Sequence, residues 1–202
     1  MSESRLSSGL QPDLFGGSSE ALPEGLRYEP EFLSRSEEAQ LVELIRTLPL
    51  EAARYKAYTA RRRVLSFGGS FDYDTNRLMP AQALHPGLLH LRQRVADWMG
   101  VVPKALVHAL LAEYSPGTPL GWHRDVPDFE RVAGVSLGSE AVIRWRRYPP
   151  HEPRRAGIVR LVVAPRSIYE LQGPARWDWQ HSVAPTTAMR WSITFRTARE
   201  RR

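Results

Sequence analysis

The stretch Arg190-Trp191-Ser192-Ile193-Thr194-Phe195-Arg196 alternates polar and apolar residues without a break. Side chains of a strand alternate between its two faces, so Trp191, Ile193 and Phe195 go to one side. Arg190, Ser192, Thr194 and Arg196 go to the other. Two readings follow. Either the polar face lies in water on an edge strand, or it lines an interior, where two arginines are tolerated only beside an anion. In the second case a small carboxylate is the natural occupant, because the arginine fork bonds both of its oxygens.

Other short runs rich in Val, Ile, Leu and aromatics lie upstream, at 105–114, 132–137, 141–148, 158–163 and 166–171. Turn residues separate them and no helical period links them, which indicates antiparallel sheets closing as a sandwich or jelly roll. Before Gly100 the texture is helical. Ser34 and Glu37 have capping-box spacing, and Leu41, Leu44, Ile45 and Leu48 form a stripe that Pro49 stops. A second helix is predicted from about Pro86 to Met99, with Leu88, Leu91, Val95 and Trp98 on one side and Gly100 at its end. Residues 1–22, rich in Ser and Gly, read as a mobile arm. The expected organisation is one domain over 23–198, with a helical and lid layer at 23–100 built onto a β-core at 101–198. The fold class is mainly β with flanking helices (α+β).

The composition fits this. The chain has 202 residues, 42% apolar and 25% charged, the mix of a globular domain with one core. Its formal charge of +6 comes from 26 arginines and two lysines set against 22 acids. Residues 1–50 carry four cations against nine acids, and residues 51–202 carry 24 against 13. A GC-rich coding sequence accounts for Arg over Lys but not for the net charge, and a basic body suits a phosphate-rich partner. The absence of cysteine excludes disulfides, thiolate metal sites and a cysteine nucleophile. The first twenty residues lack the basic start and apolar core of a secretory signal, and no apolar run approaches the roughly 18 residues of a membrane helix. The expectation is a cytoplasmic monomer with no membrane partner.

His123 and Asp125 stand in Gly121-Trp122-His123-Arg124-Asp125, after the turn Ser115-Pro116-Gly117-Thr118-Pro119. In an extended segment positions i and i+2 share a side, so imidazole and carboxylate can hold one ion. His181, in Trp179-Gln180-His181-Ser182, is the candidate third ligand. Two imidazoles and a carboxylate on one face of a metal is the arrangement of non-haem Fe(II) oxygenases.

In this order, His123-x-Asp125, His181 and Arg190-x5-Arg196 resemble the Fe(II)- and 2-oxoglutarate-dependent dioxygenases of the AlkB family. Leu111-Ala112-Glu113-Tyr114-Ser115-Pro116-Gly117, Val135-Ser136-Leu137-Gly138, Arg166-Ser167-Ile168-Tyr169 and Gly173-Pro174-Ala175-Arg176 extend the likeness. So does the lid-like segment with Arg61-Arg62-Arg63, Phe67-Gly68-Gly69 and Phe71-Asp72-Tyr73. The resemblance spans roughly 25–197. It implies a double-stranded β-helix (a cupin-like jelly roll) with an N-terminal helical and lid extension. It further implies His123, Asp125 and His181 as the catalytic Fe(II) ligands, with Arg190, Arg196 and Tyr114 binding the cosubstrate 2-oxoglutarate. Arg190 would meet the far carboxylate and Arg196 would lie near the carboxylate beside the keto group. With O2, the implied reaction is oxidative demethylation of N-alkylated bases in DNA or RNA, as in alkylation-damage repair, releasing formaldehyde, succinate and CO2. Two positions depart from the family pattern: Ala112 stands where an Asn often touches the cosubstrate, and Pro127 where nucleic-acid demethylases often carry an acid.

Several residues keep two readings. Arg61, Arg62 and Arg63 form a phosphate clamp or a solvated run. Phe71 and Tyr73 meet a flipped base or pack the lid. Arg144, Arg146, Arg147, Arg154 and Arg155 track a strand backbone or solubilise a loop. Trp145 is expected to face the core, Trp177 and Trp179 to wall the iron site, and His108 to share the parity of Tyr114. The alternative functions are the same oxidation on a protein side chain or small molecule, and a non-catalytic nucleic-acid-binding barrel.

Overall fold

The computed structural model describes residues 21–55, 58–72, 77–150 and 157–200, so all but the last two residues of the expected arm lie outside the described residues. In chain order the elements begin with β1 (Leu26–Glu29), α1 (Arg35–Thr47), β2 (Glu51–Tyr55), β3 (Tyr58–Phe67), β4 (Gly69–Asp72), β5 (Arg77–Pro80) and α2 (Leu89–Met99). Then follow β6 (Leu106–Tyr114), β7 (Leu120–His123), β8 (Phe129–Gly138), β9 (Ala141–Arg147) and β10 (Val159–Val163). The chain closes with β11 (Ile168–Leu171), α3 (Gly173–Trp177), β12 (Trp179–Val183) and β13 (Arg190–Ala198).

A seven-stranded antiparallel sheet in the order β1-β11-β8-β13-β6-β3-β2 faces a four-stranded one in the order β10-β9-β12-β7, the two layers of a double-stranded β-helix. The strands β4 and β5 form a separate two-stranded antiparallel sheet. Strand β13 lies in the middle of the large sheet, between β8 and β6, which excludes the edge-strand reading. Its apolar residues Trp191, Ile193 and Phe195 join Leu41 and Ile45 of α1 and Leu91, Val95 and Met99 of α2 in one buried cluster. Its polar residues turn the other way and are buried as well. A second cluster, with Ile143, Trp145, Val159 and Val183, fills the space on the small-sheet side, so Trp145 faces the core as expected. Among the described residues no helix is long and apolar enough to cross a membrane.

The helices start and stop where the sequence indicates. Ser34 caps α1 and receives the returning Glu37 carboxylate on its own N–H at 2.8 Å. Arg94 of α2 donates to the same carboxylate, which ties the two helices together. Gly100 ends α2 at φ 69°, a left-handed conformation that glycine adopts without a Cβ clash.

Four features differ from the sequence expectation. The 23–100 layer is not only helix and lid, since β1 lengthens one edge of the large sheet and β2 and β3 the other. The run Arg61-Arg62-Arg63 hides the alternation of β3, in which Arg61 and Arg63 are exposed while Arg62 is buried. Asp125 lies beyond the end of β7, so its agreement with His123 is not simple strand parity. Trp177 closes α3 and does not share a strand with His181.

One contact in the sheet is tight. A Cβ on Gly134 of β8 would sit 2.5 Å from the ring of Tyr169 on the neighbouring β11. Gly134→Ala should therefore destabilise the protein by about 1–3 kcal/mol through overpacking. Chemical denaturation should show most of that loss vanishing in the Tyr169→Ala background. Equal losses in both backgrounds would mean that the ring is not what glycine accommodates.

Candidate active site

Between the sheets lies a cavity of about 760 Å³ that receives the polar face of β13. Antiparallel pairing of β7 with β12 places His123 opposite His181, with ring centroids 4.2 Å apart. The Asp125 carboxylate closes the triangle, its Oδ2 3.7 Å from His181 Nε2. One ligand atom from each of the three residues lies within 4.8 Å of the others. The Gly121 carbonyl 2.9 Å from His123 Nδ1 selects the tautomer with hydrogen on Nδ1, leaving Nε2 as the lone-pair donor. Burial lowers the pKa of His123 and pushes that of His181 down to about 3, so both imidazoles are neutral.

Asp125 is fixed from the side away from the histidines. Arg196 donates through Nε at 2.9 Å and Nη2 at 2.8 Å to Oδ1 alone. Burial by itself would raise this carboxyl, but the charge of Arg196, with that of Arg176 behind it, holds it well below the usual carboxylate range. Arg196 is oriented in turn by His108 Nδ1 at 3.1 Å. Burial, reinforced by Arg196, pushes His108 down to about 3, which keeps it a neutral acceptor. His108 thus points inward, as its parity predicted, and serves the arginine.

At the other end of β13, Arg190 is 1% exposed and pairs in register with Tyr114. Its Nε donates to Ser136 Oγ at 3.2 Å, and its guanidinium carbon lies 4.9 Å from the Tyr114 ring centroid. Its Nη1 is buried and has no hydrogen-bond partner among the described residues. Burial raises the Tyr114 phenol, yet Arg62 and Arg190 outweigh it and hold its pKa below the ordinary value. Among the described residues the buried charges lining the cavity are the guanidiniums of Arg62, Arg190 and Arg196 against the carboxylate of Asp125. A buried cationic surplus needs an anion.

The lid residues fare differently. Arg62 points into the cavity, 5.8 Å from the Tyr114 ring, which removes it from a surface clamp. Arg63 is occupied by the Leu50 carbonyl and by Glu113 at 2.9 Å, while Arg61 is exposed. Phe71 stands in β4 opposite Leu78. Tyr73, Arg154 and Arg155 lie outside the described residues. Trp179 is buried in the core cluster and, like Trp177, does not line the cavity.

Two site residues carried no role in the sequence reading. Arg176 of α3 is buried, and its Nη2 donates to the carbonyls of Asp125, Val126 and Phe129 at 3.2, 2.7 and 2.9 Å, pinning the loop that carries the carboxylate. Tyr169 lines the cavity over Gly134, its phenol raised to about 12 by burial. Contacts made only after folding gave neither residue a local signal.

The donor set fits a hard divalent ion with open positions, and neutral imidazoles with an ionised carboxylate are the binding forms. Arg190, with its buried donor, fits the far carboxylate of a dicarboxylate cosubstrate.

Comparison with known proteins agrees. Residues 25–199 match the family profile described as the 2OG-Fe(II) oxygenase superfamily. The mouse tRNA (carboxymethyluridine(34)-5-O)-methyltransferase ALKBH8 is 28% identical over 173 residues, which is 82% of this chain and 25% of that protein. The uncharacterized protein L905 of Acanthamoeba polyphaga mimivirus is 30% identical over 78 residues, or 38% of this chain and 35% of that one. The chain thus spans about a quarter to a third of these relatives. The solved structure of OsALKBH1 superposes with a TM-score of 0.70 at 13% identity, covering 88% of this chain and 99% of the other. A Pseudomonas putida prolyl-4-hydroxylase superposes with a TM-score of 0.59 at 16% identity, covering 88% and 94%. At these identities the two structures establish the shared fold.

Two outcomes follow from this geometry. Asp125→Ala should abolish Mn(II) binding in an electron paramagnetic resonance titration and also destabilise the apoprotein by roughly 3 kcal/mol or more, because it leaves Arg196 buried without its counter-charge. His181→Ala should abolish metal binding with little loss of stability, and equal destabilisation by both would deny Arg196 its dependence on Asp125. The three buried imidazoles also set a pH dependence. His108, His123 and His181 stay neutral in the folded protein but take up protons near pH 6.5 when unfolded. Apoprotein stability should therefore fall as pH drops from 6.5 toward 3, with up to three protons taken up on unfolding. A pH-independent melting temperature across that window would contradict this.

Proposed function

The chain belongs to the 2OG-Fe(II) oxygenase superfamily and is AlkB-like within it, and on that premise we propose that it dealkylates nucleic-acid bases oxidatively, with Fe(II), 2-oxoglutarate and O2. The observation that carries the reading is the buried, partnerless Nη1 of Arg190 in the same cavity as the His123, Asp125 and His181 cluster. When bound, iron and cosubstrate supply the oxidising power, with succinate and CO2 as by-products and formaldehyde leaving from a hydroxylated N-methyl group.

The protein's own part is positional and electrostatic. His123 and His181 offer neutral imidazole nitrogens, and Asp125 offers Oδ2 because Arg196 occupies Oδ1. Arg190 takes the far carboxylate of the cosubstrate and Tyr114 adds a hydroxyl beside it. Arg196, committed to Asp125, contributes charge next to the carboxylate adjoining the keto group. With Ala112 at the position where the family often has Asn, that end relies on Arg196 and the neighbouring hydroxyls of Ser192 and Thr194, which also line the cavity.

A nucleic-acid substrate draws support from the net charge of +6 and from AlkB-like relatives, one of which is named for its action on tRNA. A panel of N-methylated DNA and RNA oligonucleotides, incubated with Fe(II), 2-oxoglutarate and ascorbate, tests it. At least one should lose the mass of its methyl modification, with formaldehyde and succinate produced in equal amounts. If no oligonucleotide reacts while a peptide or small molecule stimulates succinate formation, the substrate class is wrong and the oxygenase chemistry stands.

A further inference from the structure

The basic cluster at 144–147 remains outside the machinery described so far. Strand β9 alternates strictly: Ala141, Ile143 and Trp145 are buried between the sheets, which leaves Arg144 and Arg146 on the outer face of the small sheet. Pairing with β10 places Arg160 directly opposite Arg144, and pairing with β12 places Ser182 opposite Arg144 and Gln180 opposite Arg146.

Both β9 side chains reach across β12 to Trp122 of β7. The guanidinium carbons of Arg144 and Arg146 stand 5.3 and 4.4 Å from its ring centroid. Each is also anchored through Nε, Arg144 to Ser182 Oγ at 3.0 Å and Arg146 to Gln180 Oε1 at 2.9 Å. Stacking and anchoring fix the planes of these forks and leave their terminal nitrogens for an outside acceptor. Among the described residues no carboxylate pairs with Arg144, Arg146 or Arg160.

This differs from an ordinary solvated basic face, where flexible side chains spread apart or find acids. Arg144 and Arg160 are like charges in direct cross-strand register, an unfavourable pairing that a bridging anion reverses. Arg144 and Arg146 are two residues apart on one strand, roughly 6.8 Å, so a row of anions along β9 meets one fork after another. The other candidate track is largely consumed, with Arg62 in the cavity and Arg63 tied to Leu50 and Glu113.

We propose that Trp122, Arg144, Arg146 and Arg160 form a track for the phosphodiester backbone of a nucleic-acid strand on the outer face of the small sheet. The track ends on β7, the edge strand that carries Trp122 outward and, one residue on, His123 toward the cavity. This inference rests on the nucleic-acid reading given above and adds where the strand is held. Its specificity is for charge spacing rather than base identity, because phosphate contacts position a strand without reading it.

The test is binding of a labelled single-stranded oligonucleotide to the full chain with Mn(II) and 2-oxoglutarate, by fluorescence anisotropy across a salt series. The triple variant Arg144→Gln, Arg146→Gln, Arg160→Gln should bind roughly tenfold or more weakly at about 0.1 M salt. Its log–log salt slope should be shallower by about two, at about 0.7 per lost phosphate contact on a single strand. Arg35→Gln, Arg46→Gln, Lys104→Gln removes the same charge from exposed positions elsewhere and should leave the slope unchanged. An equal change in that control would assign the effect to net charge and overturn the proposal. If methylated oligonucleotides are turned over but the triple variant keeps the wild-type slope, the track is wrong and the substrate reading stands. If no oligonucleotide is bound or turned over, both fail. Preferential binding to phosphatidylserine vesicles would assign the face to a lipid surface and overturn the track as well.

Discussion

The bidentate grip of Arg196 on one oxygen of Asp125 is the interaction on which the site depends. It sets the charge of the carboxylate against strong desolvation, chooses which oxygen faces the histidines, and keeps a buried guanidinium from being unpaired. Neither partner is stable in the cavity alone, since an isolated charge in low dielectric is costly. His108 behind Arg196 and Arg176 behind the Asp125 loop make the pair part of a wider hydrogen-bonded frame.

The architecture makes that pair possible. A central strand has no edge in water, so every second residue of β13 is forced into the space between the sheets. The apolar half packs on α1 and α2, and the polar half becomes the wall of a cavity. The two arginines sit at opposite ends of that wall, one neutralised by Asp125 and the other with a buried donor unmet by protein. Such a chamber is built around charge the chain does not itself supply, which agrees with the dicarboxylate requirement of the superfamily to which it belongs.

Much of this was legible beforehand. Ser34 with Glu37 marked a helix start, Gly100 a helix end, and the 190–196 alternation a strand, because each signal is local. The His123, Asp125 and His181 set and its order with Arg190 and Arg196 could also be read, since chain order survives folding. The arginine run at 61–63 misled for the same reason: three like residues conceal a period of two, and Arg62 turned out to be buried. Trp177 was expected to wall the iron site, yet it closes a short helix and does not line the cavity.

By itself the sequence determined the class of the fold, the residue types able to hold the metal, and the presence of two arginines on one strand face. These follow from periodicity and from side-chain chemistry, which belong to the residues wherever they end up. Tertiary structure decided whether that face met water or an interior, because strand order is a property of pairing partners distant in sequence. It also decided the fate of each arginine. Arg196 became a clamp on Asp125, Arg62 a cavity wall, and Arg144 and Arg146 a fixed outer row stacked on Trp122. A guanidinium has the same charge in all three places, and only the groups brought beside it by the fold give it a role.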